Sequence, residues 1–199
     1  MTAKNDPPIL ASIGDLNFDE DDSNSVDISA SDVDDDNVTL SVTSGTNIFV
    51  AENSNQLVFT SNSNWFGSET FTVTASDGEL SDSETFTVTV NAVNDAPVLA
   101  AIGDFSFDED GYTSVNVSAS DVDGDSVTLS VTSGTNVSVV QGVNELQFSA
   151  EADWNGTESF TVTATDDGDG GLDDSETFTV TVNAINDTPV ITSTPGEIF

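Results

Sequence analysis

Two stretches of this chain return almost letter for letter, and no other feature restricts the fold so tightly. NVTLSVTSGTN at 37–47 comes back as SVTLSVTSGTN at 126–136, and DSETFTVTVNA at 82–92 recurs unchanged at 174–184. The offsets are 126 − 37 = 89 and 174 − 82 = 92 residues, so the three extra residues lie in TDDGDGGLDD at 165–174, which replaces SDGELSD at 76–82. A third marker, Asn-Asp-x-Pro, begins at Asn5, Asn94 and Asn186. Self-similarity at such a period means one folded unit per repeat, so 199 residues hold two units. The expected division is 1–4 as a short leading tail, 5–93 as the first repeat, 94–185 as the second and 186–199 as the start of a third. Since the text opens at a repeat boundary and stops inside the first strand of another, a fragment of a longer array is expected, with any targeting signal outside it.

Inside each unit the apolar residues alternate. In ETFTVTA (69–75), Phe71, Val73 and Ala75 point one way and Thr70, Thr72 and Thr74 the other; Phe86, Val88 and Val90 repeat the device. Shorter runs at Val26/Ile28/Ala30, Val38/Leu40/Val42 and Leu57/Phe59 are bounded by Gly, Asn, Ser and Asp clusters that favour turns. Helical periodicity is absent. The expected fold is all-β: two tandem immunoglobulin-like Greek-key β-sandwiches of about seven strands each, antiparallel, with one face of each sheet solvated. Phe71, Phe86, Phe160 and Phe178 are assigned to the cores, and Trp65 and Trp154 to core or rim plugs in preference to a sugar-stacking role.

Charge decides which partners such a chain can have. With 37 acidic residues against the single base Lys4, nothing here can line a nucleic-acid groove or lie on an anionic membrane, and no apolar stretch reaches spanning length. The chain has no His and no Cys, which removes zinc sites, Cys or Ser-His nucleophiles and redox dithiols together. A glycosidase would need two carboxylates opposed across a cleft, which small sandwiches repeated in tandem do not offer; no enzyme is expected. Carboxylates, amides and hydroxyls remain, an inventory suited to hard cations such as Ca²⁺.

An odd-even count through seven strands sorts the acidic loops. At the incoming pole, where the chain enters each sandwich, fall SDVDDD (31–36) and SDVDGD (120–125) after the second strand, with Asp77, or Asp166 and Asp167, after the sixth. The outgoing pole collects the FDED stretches around Glu20 and Glu109 and the turn before the sixth strand. Carboxylates crowded together repel and lose hydration unless a cation bridges them. A solvated, salt-adapted surface is the competing reading, but three stretches distant in sequence converge on one pole, which a random acidic surface has no reason to do.

Asp-x-Asp after the second strand, Ala75-Ser76-Asp77-Gly78 closing the sixth, and the Asn-Asp-x-Pro connector resemble cadherin and bacterial cadherin-like repeats, over essentially all of both units. The resemblance implies calcium sandwiched between successive domains. It implies Glu20 from the outgoing pole of the first repeat, Asn94 and Asp95 from the connector, and Asp121, Asp123 and Asp166 from the second repeat. The family's other outgoing-pole acidic motif falls on Asn62 and Asn64 in the first repeat but on Glu151 and Asp153 in the second. Amide oxygens bring no charge, so the inner junction is expected to be the weaker, with one or two ions. The second repeat's own outgoing pole carries Glu109, Glu151, Asp153 and Asp187, and the loop DDGDGG could hold a further ion through Asp167 and Asp169 or be an ordinary turn.

The function this implies is a calcium-stiffened extender or adhesive segment of a large bacterial surface or secreted adhesin, extracellular or at the cell surface, partnered by neighbouring repeats and monomeric as a fragment. The alternative is a module recognising a polysaccharide or another copy of itself.

Overall fold

The structure, a computed structural model, describes residues 4–34 and 36–189. The stretch from 190 onward, on which most of the expected third repeat falls, lies outside the described residues, as do 1–3 of the leading tail. The chain divides into two compact units, one ending at Val93 and the other beginning at Asn94.

The first unit contains β1 (Ile9–Leu10), β2 (Leu16–Asp19), β3 (Ser23–Asp27), β4 (Ala30–Ser31), β5 (Thr39–Val42), β6 (Ile48–Asn53), β7 (Gln56–Ser61), β8 (Gly67–Ser76) and β9 (Ser81–Asn91). The second repeats the series as β10 (Val98–Leu99), β11 (Phe105–Asp108), β12 (Tyr112–Asn116), β13 (Ala119–Ser120), β14 (Thr128–Val131), β15 (Val137–Gln141), β16 (Glu145–Ala150), β17 (Gly156–Thr165) and β18 (Asp173–Asn183). Each unit is a sandwich of a four-stranded sheet, β2-β9-β8-β5 or β11-β18-β17-β14, and a three-stranded sheet, β3-β7-β6 or β12-β16-β15. No helix occurs among the described residues.

Seven strands become nine segments because the first and second strands are each broken. β1 pairs antiparallel with β4, whereas β2 has crossed to the other sheet and pairs parallel with β9. The wholly antiparallel expectation is corrected at this pair and at its counterpart β11 with β18. A period-two pattern marks which face a residue takes but carries no information on the polarity of a strand that changes sheets. Carboxylates of β9 hold the crossing segment: the Leu10 amide donates to Asp82 Oδ2 at 3.0 Å and the Ile13 amide to Glu84 Oε2 at 2.9 Å.

The alternating residues meet between the sheets. Phe71 and Phe86 are cross-strand partners on β8 and β9, and Phe59 from the facing sheet meets Phe71 edge-on with ring centroids 5.1 Å apart. Phe148, Phe160 and Phe178 rebuild this triad in the second unit, where Phe105 adds a fourth ring stacked 5.7 Å from Phe178. Offset and edge geometries of this kind are the favourable ones for aromatic pairs. Trp65 and Trp154 pack half-buried on the cores. Each indole lies against the glycine two residues on, Gly67 or Gly156, where a Cβ would come within 2.8 Å of the ring. On the outer face the alternate threonines pair, Thr72 with Thr85 at 2.9 Å and Thr161 with Thr177 at 2.8 Å.

Candidate cation sites at the sandwich poles

The incoming pole is built the same way in both units. In the first, Asn5 Nδ2 donates to Asp77 Oδ2 at 3.0 Å, the Asp6 amide to Asp34 Oδ2 at 2.8 Å, and the Asp34 amide to Asp32 Oδ1 at 2.8 Å. In the second, Asn94 Nδ2 donates to Asp166 Oδ2 at 3.2 Å, the Asp95 amide to Asp123 Oδ2 at 2.8 Å, and the Asp123 amide to Asp121 Oδ1 at 2.9 Å. Asn-Asp of the connector is thus stitched to the Asp-x-Asp loop and to the loop after the sixth strand, as the strand count requires.

Asp166 is buried, 6 % exposed, and also receives the amides of Gly168 and Leu172. Carboxylate oxygens of Asp121, Asp123 and Asp125 lie within 4.8 Å of one another. Lost hydration, and then the charges of Asp121, Asp167, Asp123 and Asp166, push the Asp125 carboxyl above its ordinary value. Asp125 was not among the residues singled out from sequence, although the third acid of DVDGD stood beside the two that were. Asp167 accepts the Ser126 amide at 2.7 Å, and Asp169 joins no carboxylate cluster among the described residues.

At the outgoing pole of the first unit, Glu20 is 6 % exposed. Its Oε1 accepts the Val93 amide at 2.8 Å, while Oε2 is buried with no protein donor. Asp21 and Asn64 both hold the left-handed backbone, at φ 59° and 54°, and the Asn64 amide donates to Asp21 Oδ1 at 3.2 Å. Asp and Asn tolerate that conformation better than other non-glycine residues. Asn62 and Asn64 are exposed in the same turn.

The second unit reproduces this pole with more charge. Glu109 is 5 % exposed, accepts the Ile185 amide at 2.8 Å, and has a buried Oε2 without a protein donor. Asp110 at φ 60° and Asp153 at φ 57° replace the Asp–Asn pair, and Asp110, Asp153 and Asp187 bring carboxylate oxygens within 4.8 Å of one another. Asp110, next to Glu109 in the FDED stretch, enters this cluster and Glu151 does not.

A buried carboxylate oxygen that no donor satisfies is costly to leave charged. Asp32 Oδ2 and Asp121 Oδ2 at the incoming poles share that condition with Glu20 and Glu109. Every candidate donor is a hard oxygen, and several converge from separate loops, which fits Ca²⁺ and its six to eight oxygens. The residues present therefore fit such an ion.

Comparison with known proteins bears on the same units. The family described as bacterial Ig domain matches residues 5–91 and again 94–184. A comparison with curated proteins found no match. Among solved structures the chain is similar to PcdhgB3 EC1-4, at 17 % identity and TM-score 0.56 over 90 % of this chain and 50 % of that one. Drosophila N-cadherin EC1-4 is similar at 18 % identity and TM-score 0.52 over the same shares, and the protocadherin GammaB4 extracellular domain at 18 % and 0.53 over 94 % of this chain and 34 % of that one. At these identities the likeness is one of fold, and the chain spans about half or less of the length of those structures.

Proposed function

The chain belongs to the bacterial Ig domain family, in two tandem copies with a cadherin-like fold, and on that footing we propose that it is a calcium-stiffened extender segment of a large bacterial surface or secreted adhesin. Its ligands for the junction between the repeats are Glu20, Asn62 and Asn64 from the first unit, Asn94 and Asp95 from the connector, and Asp121, Asp123 and Asp166 from the second. The observation that carries this reading is the buried Oε2 of Glu20, repeated at Glu109, which lacks any protein donor in a chain with one basic residue. The hydrogen bonds from Asn94 Nδ2 to Asp166 and from the Asp95 amide to Asp123 support this set. Bound Ca²⁺ would cancel the repulsion among these carboxylates and restrict the angle between domains.

Extracellular modules of this type bind calcium at about 10⁻⁴ to 10⁻³ M, a range met outside cells. Adjacent repeats of the parent array are the partners this role requires, and it involves no catalysis. Small-angle scattering and thermal melts of the chain, each in calcium and in chelator, test the reading. Calcium should narrow the distance distribution to that of an extended pair and raise the melting temperature. Identical profiles and melts in the two solutions would reduce the acidic poles to a solvated surface.

A further inference from the structure

VTSGTN is repeated without change at 42–47 and 131–136; it contains none of the carboxylates assigned above, and its role lies in a different one. In the first unit it forms the crossover from β5 in one sheet to β6 in the other. Three successive amides converge on the Glu69 carboxylate: Thr46 at 2.9 Å, Asn47 at 2.9 Å and Ile48 at 3.3 Å. Such a run of amides is an anion-binding concavity, here filled by the protein itself. A Cβ on Gly45 would collide with the Ile48 carbonyl oxygen, Glu69 Oε2 and the Phe71 ring, so glycine is what allows the loop to close on the glutamate. Glu158 holds Thr135, Asn136 and Val137 in the same way at 3.0, 2.8 and 3.2 Å.

The two units differ in what this latch passes on. Asn47 Nδ2 donates to Glu69 Oε1 at 3.3 Å, and its Oδ1 accepts Asn62 Nδ2, also at 3.3 Å. A carboxamide is planar, so once its nitrogen is tied to Asn47 the Asn62 oxygen is directed to the opposite side. In the second unit Asn136 Nδ2 donates to Glu158 at 2.8 Å, but residue 151 is a glutamate, whose carboxylate has no hydrogen to offer Asn136 Oδ1. What remains there is a backbone bond from the Glu151 amide to the Asn136 carbonyl at 2.8 Å, which the first unit also has between Asn62 and Asn47 at 3.0 Å.

We infer that Asn47, anchored by Glu69, is a positioning residue that orients the Asn62 side chain as a neutral ligand at the outgoing pole, and that the second repeat has no equivalent relay. The inference rests on the calcium reading above. A neutral oxygen contributes little charge attraction, so holding it in place recovers affinity that a carboxylate at the same position obtains from its charge. Partners that orient a ligand without touching the metal commonly matter on the order of tenfold in affinity.

Calorimetric calcium titration of the whole chain tests this with Asn47→Ala, Asn136→Ala, Asn62→Ala and the Asn47→Ala/Asn62→Ala double variant, alongside melts in chelator. Both alanines at 47 and 136 lose the side-chain bond to a glutamate and keep all three backbone amides, and N47A loses the Asn62 bond as well, so both should melt lower than the parent in chelator. N47A should weaken calcium binding about tenfold while N136A binds as the parent does. In the N62A background N47A should have no further effect, because the group it orients is gone. Equal affinities for N47A and N136A, or additive losses in the double variant, would overturn the relay while leaving the calcium site standing. Absence of calcium binding in the unmodified chain would overturn the site and the relay together, and shows before any variant is measured.

Discussion

Glu20 Oε1 accepts the Val93 amide at 2.8 Å, which ties the outgoing pole of the first sandwich to the last residue of its unit. The other oxygen of the same carboxylate is buried without a donor. Glu20→Gln keeps an acceptor for Val93 and removes the charge. Calcium affinity should drop on the order of tenfold, because ligand charge sets affinity in such sites. In chelator the melting temperature should hold or rise, since an unpaired buried charge has been removed. A loss of stability in chelator equal to that in calcium would mean that Glu20 serves only the fold.

The outgoing poles of the two units differ at Asn62 and Asn64 against Glu151 and Asp153. Asn62→Glu with Asn64→Asp copies the second unit's residues into the first, and aspartate accepts the left-handed backbone seen at position 64. Calorimetry should show calcium binding tightened on the order of tenfold. The same chain should melt lower in chelator, where the added charges face Asp21 with nothing to offset them.

Gly134→Ala places a methyl group against the Val137 carbonyl oxygen, Glu158 Oε2 and the Phe160 ring. Overpacking of this kind costs about 1–3 kcal/mol, to be read from urea unfolding of the second unit. Gly103→Ala is the control, since no atom lies within 4 Å of the Cβ it would add. Equal effects at the two positions would show that the crossover can open without penalty.

Acid should loosen the two latches. Burial alone would raise the Glu69 and Glu158 carboxyls, but the amide hydrogen bonds from residues 46–48 and 135–137 outweigh it and hold both below the ordinary value of 4.5. A carboxyl depressed on folding contributes stability that is present above its unfolded value and is lost as pH falls through the lower folded one. Urea midpoints in chelator should therefore decline below pH 4.5, and the advantage of the parent chain over Glu69→Gln/Glu158→Gln should shrink across that window. An advantage that is constant with pH would assign the latch to shape rather than charge.

Much of this molecule was written in local pattern. Alternation in ETFTVTA and DSETFTVTV determined the long hairpin of β8 and β9 and the burial of Phe71 and Phe86, because a period of two assigns faces without reference to the rest of the chain. Counting strands was enough to bring the loops after the second and sixth strands to the pole of the Asn-Asp connector, where the structure then pairs Asn94 with Asp166 and Asp95 with Asp123. Recurrence of the verbatim stretches set the number of units.

Other features depend on contacts between residues that the chain separates widely, and these were decided by tertiary structure. The crossing of the first strand to pair parallel with β9 depends on Asp82 and Glu84, which lie about seventy positions away from the amides they hold. Of 37 acidic side chains, composition could not tell those that satisfy backbone amides, as Glu69 and Glu158 do, from Glu20 and Glu109, whose second oxygens are buried and unsatisfied. Asp110 and Asp125 joined their clusters for the same reason. A carboxylate's charge is a property of the sequence, but whether it meets an amide, another carboxylate or nothing depends on which loops the sandwich brings to one pole.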